Sequence, residues 1–174
     1  MRKMTLRIFQ REIERQCKFA IIAIEQTKVG LANNNFDLVW YAIQNFLVAV
    51  GNISKIFWPP NQKYQMRGEE LRKSLGIEHN SPIQPRSFRN HFEHFDERLE
   101  SWAASSKRRN FVDSNIGPPN MIAGIDTEDF LRSFDNTTWA LTFRGDKYDL
   151  KPIIEAIYGL YPKVSTEANK PWWD

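Results

Sequence analysis

Cysteine is almost absent: Cys17 is alone in 174 residues, which excludes an internal disulfide framework and any zinc site built from several thiolates. Long hydrophobic runs are missing as well. The longest, Phe19-Ala20-Ile21-Ile22-Ala23-Ile24, falls far short of the ~20 residues a membrane span needs. Met1-Arg2-Lys3-Met4-Thr5-Leu6-Arg7 leads into charged residues rather than a hydrophobic signal segment. A soluble cytoplasmic chain without a membrane partner is the expectation. No charge sign dominates: 24 Lys+Arg face 21 Asp+Glu, for a net +3. That mild excess permits a phosphate-bearing partner without demanding one. There is no glycine-rich phosphate loop, Gly-x-Ser-x-Gly elbow or Cys–His nucleophile pair. Aromatics are plentiful, with twelve Phe, six Trp and five Tyr. Apolar residues at 41% and charged residues at 26% exclude wholesale disorder. The length suits one domain with a real core.

The first half reads as helix. Leu6, Phe9, Ile13, Cys17, Ala20, Ile21 and Ile24 recur at helical spacing. Val29-Gly30-Leu31-Ala32-Asn33-Asn34-Asn35 supplies a break. A second helix carries Phe36, Val39, Trp40, Ile43, Leu47, Val50, Ser54 and Phe57 on one side. Its face is widened by Ala42, Phe46, Ala49 and Ile53. Pro59-Pro60 ends it, and a short helix between Arg67 and Leu75 stops at Gly76. A fourth helix repeats Phe88, Phe92, Phe95, Leu99 and Trp102 as one apolar seam and fades at Ser105.

Past residue 110 the texture changes. Gly117-Pro118-Pro119-Asn120 reads as a linker. Residues 130–134 and 138–143 read as two strands around Asp135-Asn136-Thr137. Arg144-Gly145-Asp146-Lys147 makes a further turn, and Tyr148 opens a third short strand. Asp149 caps a last helix with Pro152 in its first turn. The predicted fold is mainly α. It has an antiparallel bundle of four to five helices over 1–110, a β-hairpin and final helix over 111–162 packed on the same domain, and an irregular tail over 163–174.

Only Arg89-Asn90-His91-Phe92-Glu93-His94-Phe95-Asp96-Glu97-Arg98 concentrates reactive side chains. At about 100° per residue, His91 borders the seam and His94 lies further round on the polar side. Asn90 precedes His94 by four residues and can reach it. Arg89 and His94 diverge by about 140° on an ideal helix. Two such helices side by side would bring them into one cleft, which suggests a homodimer. One reading of the segment is a solvated face in which Arg89 pairs with Glu93. A metal site fits poorly, because His91-x-x-His94 lacks the His-Glu-x-x-His spacing. A third reading makes a histidine the general acid–base beside an arginine that stabilises phosphorane-like charge.

Arg89-Asn90-x-x-x-His94 on a late helix, after the long helical pair that includes Trp40-Tyr41-Ala42-Ile43-Gln44-Asn45-Phe46-Leu47, resembles the signature of the HEPN superfamily, the higher eukaryotes and prokaryotes nucleotide-binding domains. The resemblance covers roughly residues 1–106. It implies a homodimer whose motif helices line a shared cleft, and many such proteins are metal-independent endoribonucleases needing no cofactor. In that case His94 deprotonates the ribose 2′-OH, Arg89 stabilises the transition state, and Asn90 orients His94 or a phosphate oxygen. Other members bind nucleotides or have lost activity. The alternative is therefore a catalytically silent interaction module or adaptor, with a separate protein encoded nearby as its partner. Where toxin members carry a tyrosine, this chain has Asp96.

His91, Lys107 and Arg108 are candidate substrate contacts. His91 also suits packing, and Lys107-Arg108-Arg109 also suits a solvated helix end. Trp172-Trp173 either stacks a base or docks on the protein's own surface.

Overall fold

The structure is a computed structural model that describes the chain except residues 108, 119, 120, 173 and 174, and the side chains of residues 88 and 127. Helix α1 spans Lys3–Ala32 and α2 spans Phe36–Phe57. They are joined by a turn in which the Asn35 side chain accepts from Leu38 N at 3.0 Å. Ile13, Cys17, Ala20 and Ile24 of the predicted α1 stripe are buried. Gly30 does not break the helix. It is buried within α1, and a Cβ there would crowd Val39 of α2, so the glycine serves close packing. The predicted face of α2 is buried except for Phe36 at its exposed start. By length and mean hydropathy α2 resembles a membrane span, but more than half of it is buried inside the fold, as in a core helix. Helix α3 spans Gln65–Leu75 and ends at Gly76, whose φ of 61° suits glycine.

The expected continuous fourth helix is two helices, α4 (Ser87–Glu93) and α5 (Phe95–Ser105), divided at His94. Their packing partners differ, which explains the break. Helix α4 lies on α2, whereas α5 turns to the segment around Asp129, where Trp102 Nε1 donates to Asp129 O at 3.1 Å. The seam is correspondingly uneven: Trp102 is buried, Phe92 and Phe95 are half-buried and Leu99 is exposed.

The hairpin grows into a four-stranded sheet in the order β1 (Asn115–Ile116), β2 (Arg132–Asp135), β3 (Ala140–Phe143), β4 (Asp146–Asp149). Strand β1 runs parallel to β2, and the other pairs are antiparallel, with Phe134 opposite Leu141 and Leu141 opposite Tyr148. Arg144 and Gly145 form the β3–β4 loop at φ 46° and 90°, the left-handed pair that a two-residue hairpin loop requires. Pro119 and Asn120 of the predicted linker lie outside the described residues.

Helix α6 (Lys151–Ala168) starts where Asp149 Oδ1 accepts from Lys151 N at 3.0 Å. It does not stop at Pro162. The helix continues through that proline to Ala168, so half of the predicted irregular tail is helical, with Val164 and Ala168 buried. An interior proline costs about 3 kcal/mol. Here Pro162 and Tyr158 are both on the exposed side, where water can reach the freed carbonyl. Burial of Ile157, Leu160 and Val164 offsets the rest. Beyond the helix, Trp172 lies 4.1 Å under the Arg11 guanidinium, so it docks on α1. Trp173 lies outside the described residues.

The β2–β3 turn is organised by Asp135. Its carboxylate accepts four hydrogen bonds, from the backbone N–H and hydroxyl groups of Thr137 and Thr138. Chiefly through the two hydroxyls, these bonds hold its pKa well below the ordinary carboxylate range. A depressed folded-state pKa contributes stability that is complete above the unfolded carboxylate value. That stability is lost as pH falls toward the folded one. Asp135→Asn is therefore expected to be less stable at neutral pH and to lose less stability below pH ~4. Urea midpoints measured across that range check this.

Candidate functional site

The α4 backbone runs beside α2, and Gly51 of α2 decides how close. A Cβ on Gly51 would overlap Arg89 Cδ, so the absent side chain is the space through which Arg89 passes. Arg89 is buried at 7% exposure. Its Nη2 donates to Glu93 Oε2 at 2.6 Å, the i,i+4 pairing expected on a helix, while its Nε–H is buried without a partner. Glu93 is half-exposed, and its other oxygen is 3.9 Å from Lys55 Nζ of α2. The site thus holds two cations, Arg89 and Lys55, with one carboxylate between them.

His94 sits at the junction of α4 and α5, with φ −107° and ψ 41°. Its side chain is 58% exposed, and Nδ1 is 3.8 Å from Glu97 Oε1. Asn90 is exposed and contacts His94 through the backbone, His94 N donating to Asn90 O at 3.0 Å. Among the described residues, no hydrogen bond joins the side chains of Arg89, Asn90 and His94. The break at His94 also means that the ideal-helix angle does not describe this pair. Asp96 is exposed; the carboxylate against Arg89 is Glu93.

His91 is placed differently. Its ring stacks on Phe143 at 4.6 Å between centroids, and its Nε2 is 2.8 Å from Tyr148 Oη. Asp146 Oδ2 is 3.7 Å away. Burial, then the Arg98 guanidinium, push the His91 pKa below its ordinary value, and Asp146 opposes them. Burial likewise raises Tyr148, against the hydrogen bond from Ser87. Nδ1 of His91 is buried without a partner. A tautomer protonated at Nε2 leaves only a lone pair there, so the ring donates to Tyr148. His91 therefore ties α4 to the β3–β4 hairpin, away from Arg89's carboxylate. Lys107 is exposed, 3.8 Å from Glu128, and Arg108 lies outside the described residues.

Among the described residues, no group of three or more His, Cys, Asp or Glu side chains is arranged to hold a metal ion. Sequence reasoning missed three contributors to the site: Gly51, Lys55 and Tyr148. The first has a signal, an isolated glycine within an apolar helix face. The others come from distant segments that only tertiary packing brings to α4. Compared with family models, curated proteins and solved structures, this chain finds no match in any of the three.

Proposed function

We propose that the protein acts on RNA without a metal, in the manner implied by the resemblance of Arg89-Asn90-x-x-x-His94 to the HEPN signature, as an antiparallel helical bundle that works as a homodimer. One observation carries the reading: a guanidinium packed on Gly51, with its Nε–H unpaired and, among the described residues, a half-exposed carboxylate as its ion-pair partner. A buried cation must keep an anion beside it. A phosphate oxygen can take the place of the Glu93 carboxylate and preserve that pairing, and the planar guanidinium fork suits two phosphate oxygens.

The reaction this supports is internal transesterification. The ribose 2′ oxygen attacks phosphorus, a P–O2′ bond forms, and the P–O5′ bond breaks. His94 takes the 2′ proton, the 5′ oxygen leaves with a proton from solvent, and Arg89 stabilises the added negative charge. Because Arg89 and His94 do not touch within one chain, the reading draws them together across two copies. It also keeps Lys107 and Arg108 as outlying phosphate contacts.

A second reading follows from the same ion pair. If Glu93 never leaves Arg89, the site is closed and the protein is an interaction module. The discriminating experiment is incubation of the purified chain with a mixed-sequence RNA in EDTA. Cutting by the wild type and none by Arg89→Ala, with both folded by circular dichroism, supports the enzyme. An intact RNA with the wild type supports the module.

A further inference from the structure

Strand β2 reaches the break between α4 and α5 through one side chain. Arg132 is 15% exposed and donates twice to the Asp113 carboxylate, from Nε at 2.8 Å and Nη2 at 2.9 Å. A fork paired in this way has its plane fixed as well as its place. The guanidinium lies against three rings, with Phe95 at 4.8 Å, Trp40 at 5.3 Å and Phe92 at 6.0 Å to the centroids. Phe92 is in the last turn of α4 and Phe95 opens α5, so one cation contacts both helices on either side of His94. Trp40 belongs to α2 and is itself held, its Nε1 donating to Ser114 O at 2.8 Å. Residues 113 and 114 thus tether both the cation and one of its rings.

We infer that Arg132, held by Asp113, is a positioning residue for His94. His94 is exposed and makes no side-chain cap to either helix, so its place follows from where α4 and α5 are held. The hydrogen bond from Trp102 fixes the far end of α5, and His91 fixes α4 to the hairpin. Arg132 acts at the break itself. A general base must lie within hydrogen-bond reach of the proton it takes, and a misplacement of about 1 Å can cost about a hundredfold in rate. Arg132 and Asp113 lie beyond the residues that carry the HEPN resemblance, so the support comes from the sheet that this chain adds. The inference deepens the proposed function and rests on the role given there to His94. Spectra recorded without RNA separate failure of this support from failure of the chemistry.

The experiment compares full-length Arg132→Met and Asp113→Asn with the wild type, by NMR without RNA and by cleavage kinetics in EDTA. Methionine keeps an apolar stem and loses the cation. Asparagine keeps the shape of Asp113 and weakens the pair at a side chain that is 30% exposed. Should Arg132→Met not fold, Asp113→Asn decides. In both variants the His94 Cα and ring resonances are expected to move, the Cα toward its helical value, and further in Arg132→Met. Those of His79, in the connection between α3 and α4, should stay. The kcat of Arg132→Met should fall about ten- to a hundredfold with KM hardly changed, because Arg89 keeps its place on Gly51. Folded variants whose His94 resonances match the wild type overturn the inference, even if their thermal midpoints fall. Moved resonances with an unchanged kcat overturn it equally. If the wild type leaves RNA intact, the proposed reaction fails, and the His94 resonances alone decide whether Arg132 sets its position.

Discussion

Replacing His94 by alanine is expected to slow RNA cleavage by about 10²–10⁴-fold, the usual loss when a positioned general base is removed. The fold should hardly notice. His94 is exposed and makes no side-chain cap to either α4 or α5, so its loss should cost less than ~0.5 kcal/mol. DNA of the same sequence should resist the wild type, because it lacks the attacking 2′-OH. Initial rates on a fluorescent oligoribonucleotide, with urea unfolding of the same samples, provide the measurement. A variant as active as the wild type would remove His94 from the chemistry.

Gly51→Val should have the second large effect, and it acts from α2 rather than from the motif. A side chain at residue 51 needs the volume that Arg89 Cδ fills. Arg89 must then move, leaving Glu93 and its fixed position. Overpacking of this kind typically costs about 1–3 kcal/mol. RNA affinity should fall about ten- to a hundredfold, as for Arg89→Ala, since a charged hydrogen bond contributes about 1.5–3 kcal/mol. Glu93→Gln should do the reverse and raise RNA affinity, because it removes the anion that competes with phosphate for the fork. Fluorescence anisotropy on a short RNA measures both variants. Unchanged affinity in a folded Gly51→Val protein would show that the placement of Arg89 is immaterial to binding.

The residues explain how much could be read without coordinates. The buried face of α2, the stop at Gly76 and the β2–β3–β4 turns follow from local chemistry, and the structure contains them. Two element boundaries were illegible because tertiary packing overrode local signals. Pro162 marks an end by propensity, yet α6 passes through it on an exposed side while its inner side packs on α1. The even spacing of Phe92, Phe95, Leu99 and Trp102 describes a straight seam. The core around Leu131 and Phe143 instead pulls Trp102 away from α2 and divides the helix at His94. In the site, the Arg89–Glu93 pair was legible as i,i+4 neighbours. That Arg89 would be buried against a glycine on another helix was not, because no local pattern reports which helix lies opposite.

The account's central claim is that Arg89 and His94 promote attack by the ribose 2′ oxygen on the adjoining phosphorus. The most direct measurement is the identity of the ends made when the wild-type chain cuts an RNA dinucleotide in EDTA, read by phosphorus NMR. The account predicts a 2′,3′-cyclic phosphate on one product and a free 5′-hydroxyl on the other. Products carrying a 5′-phosphate and a 3′-hydroxyl would contradict it, since water and not the 2′ oxygen would then have been the nucleophile.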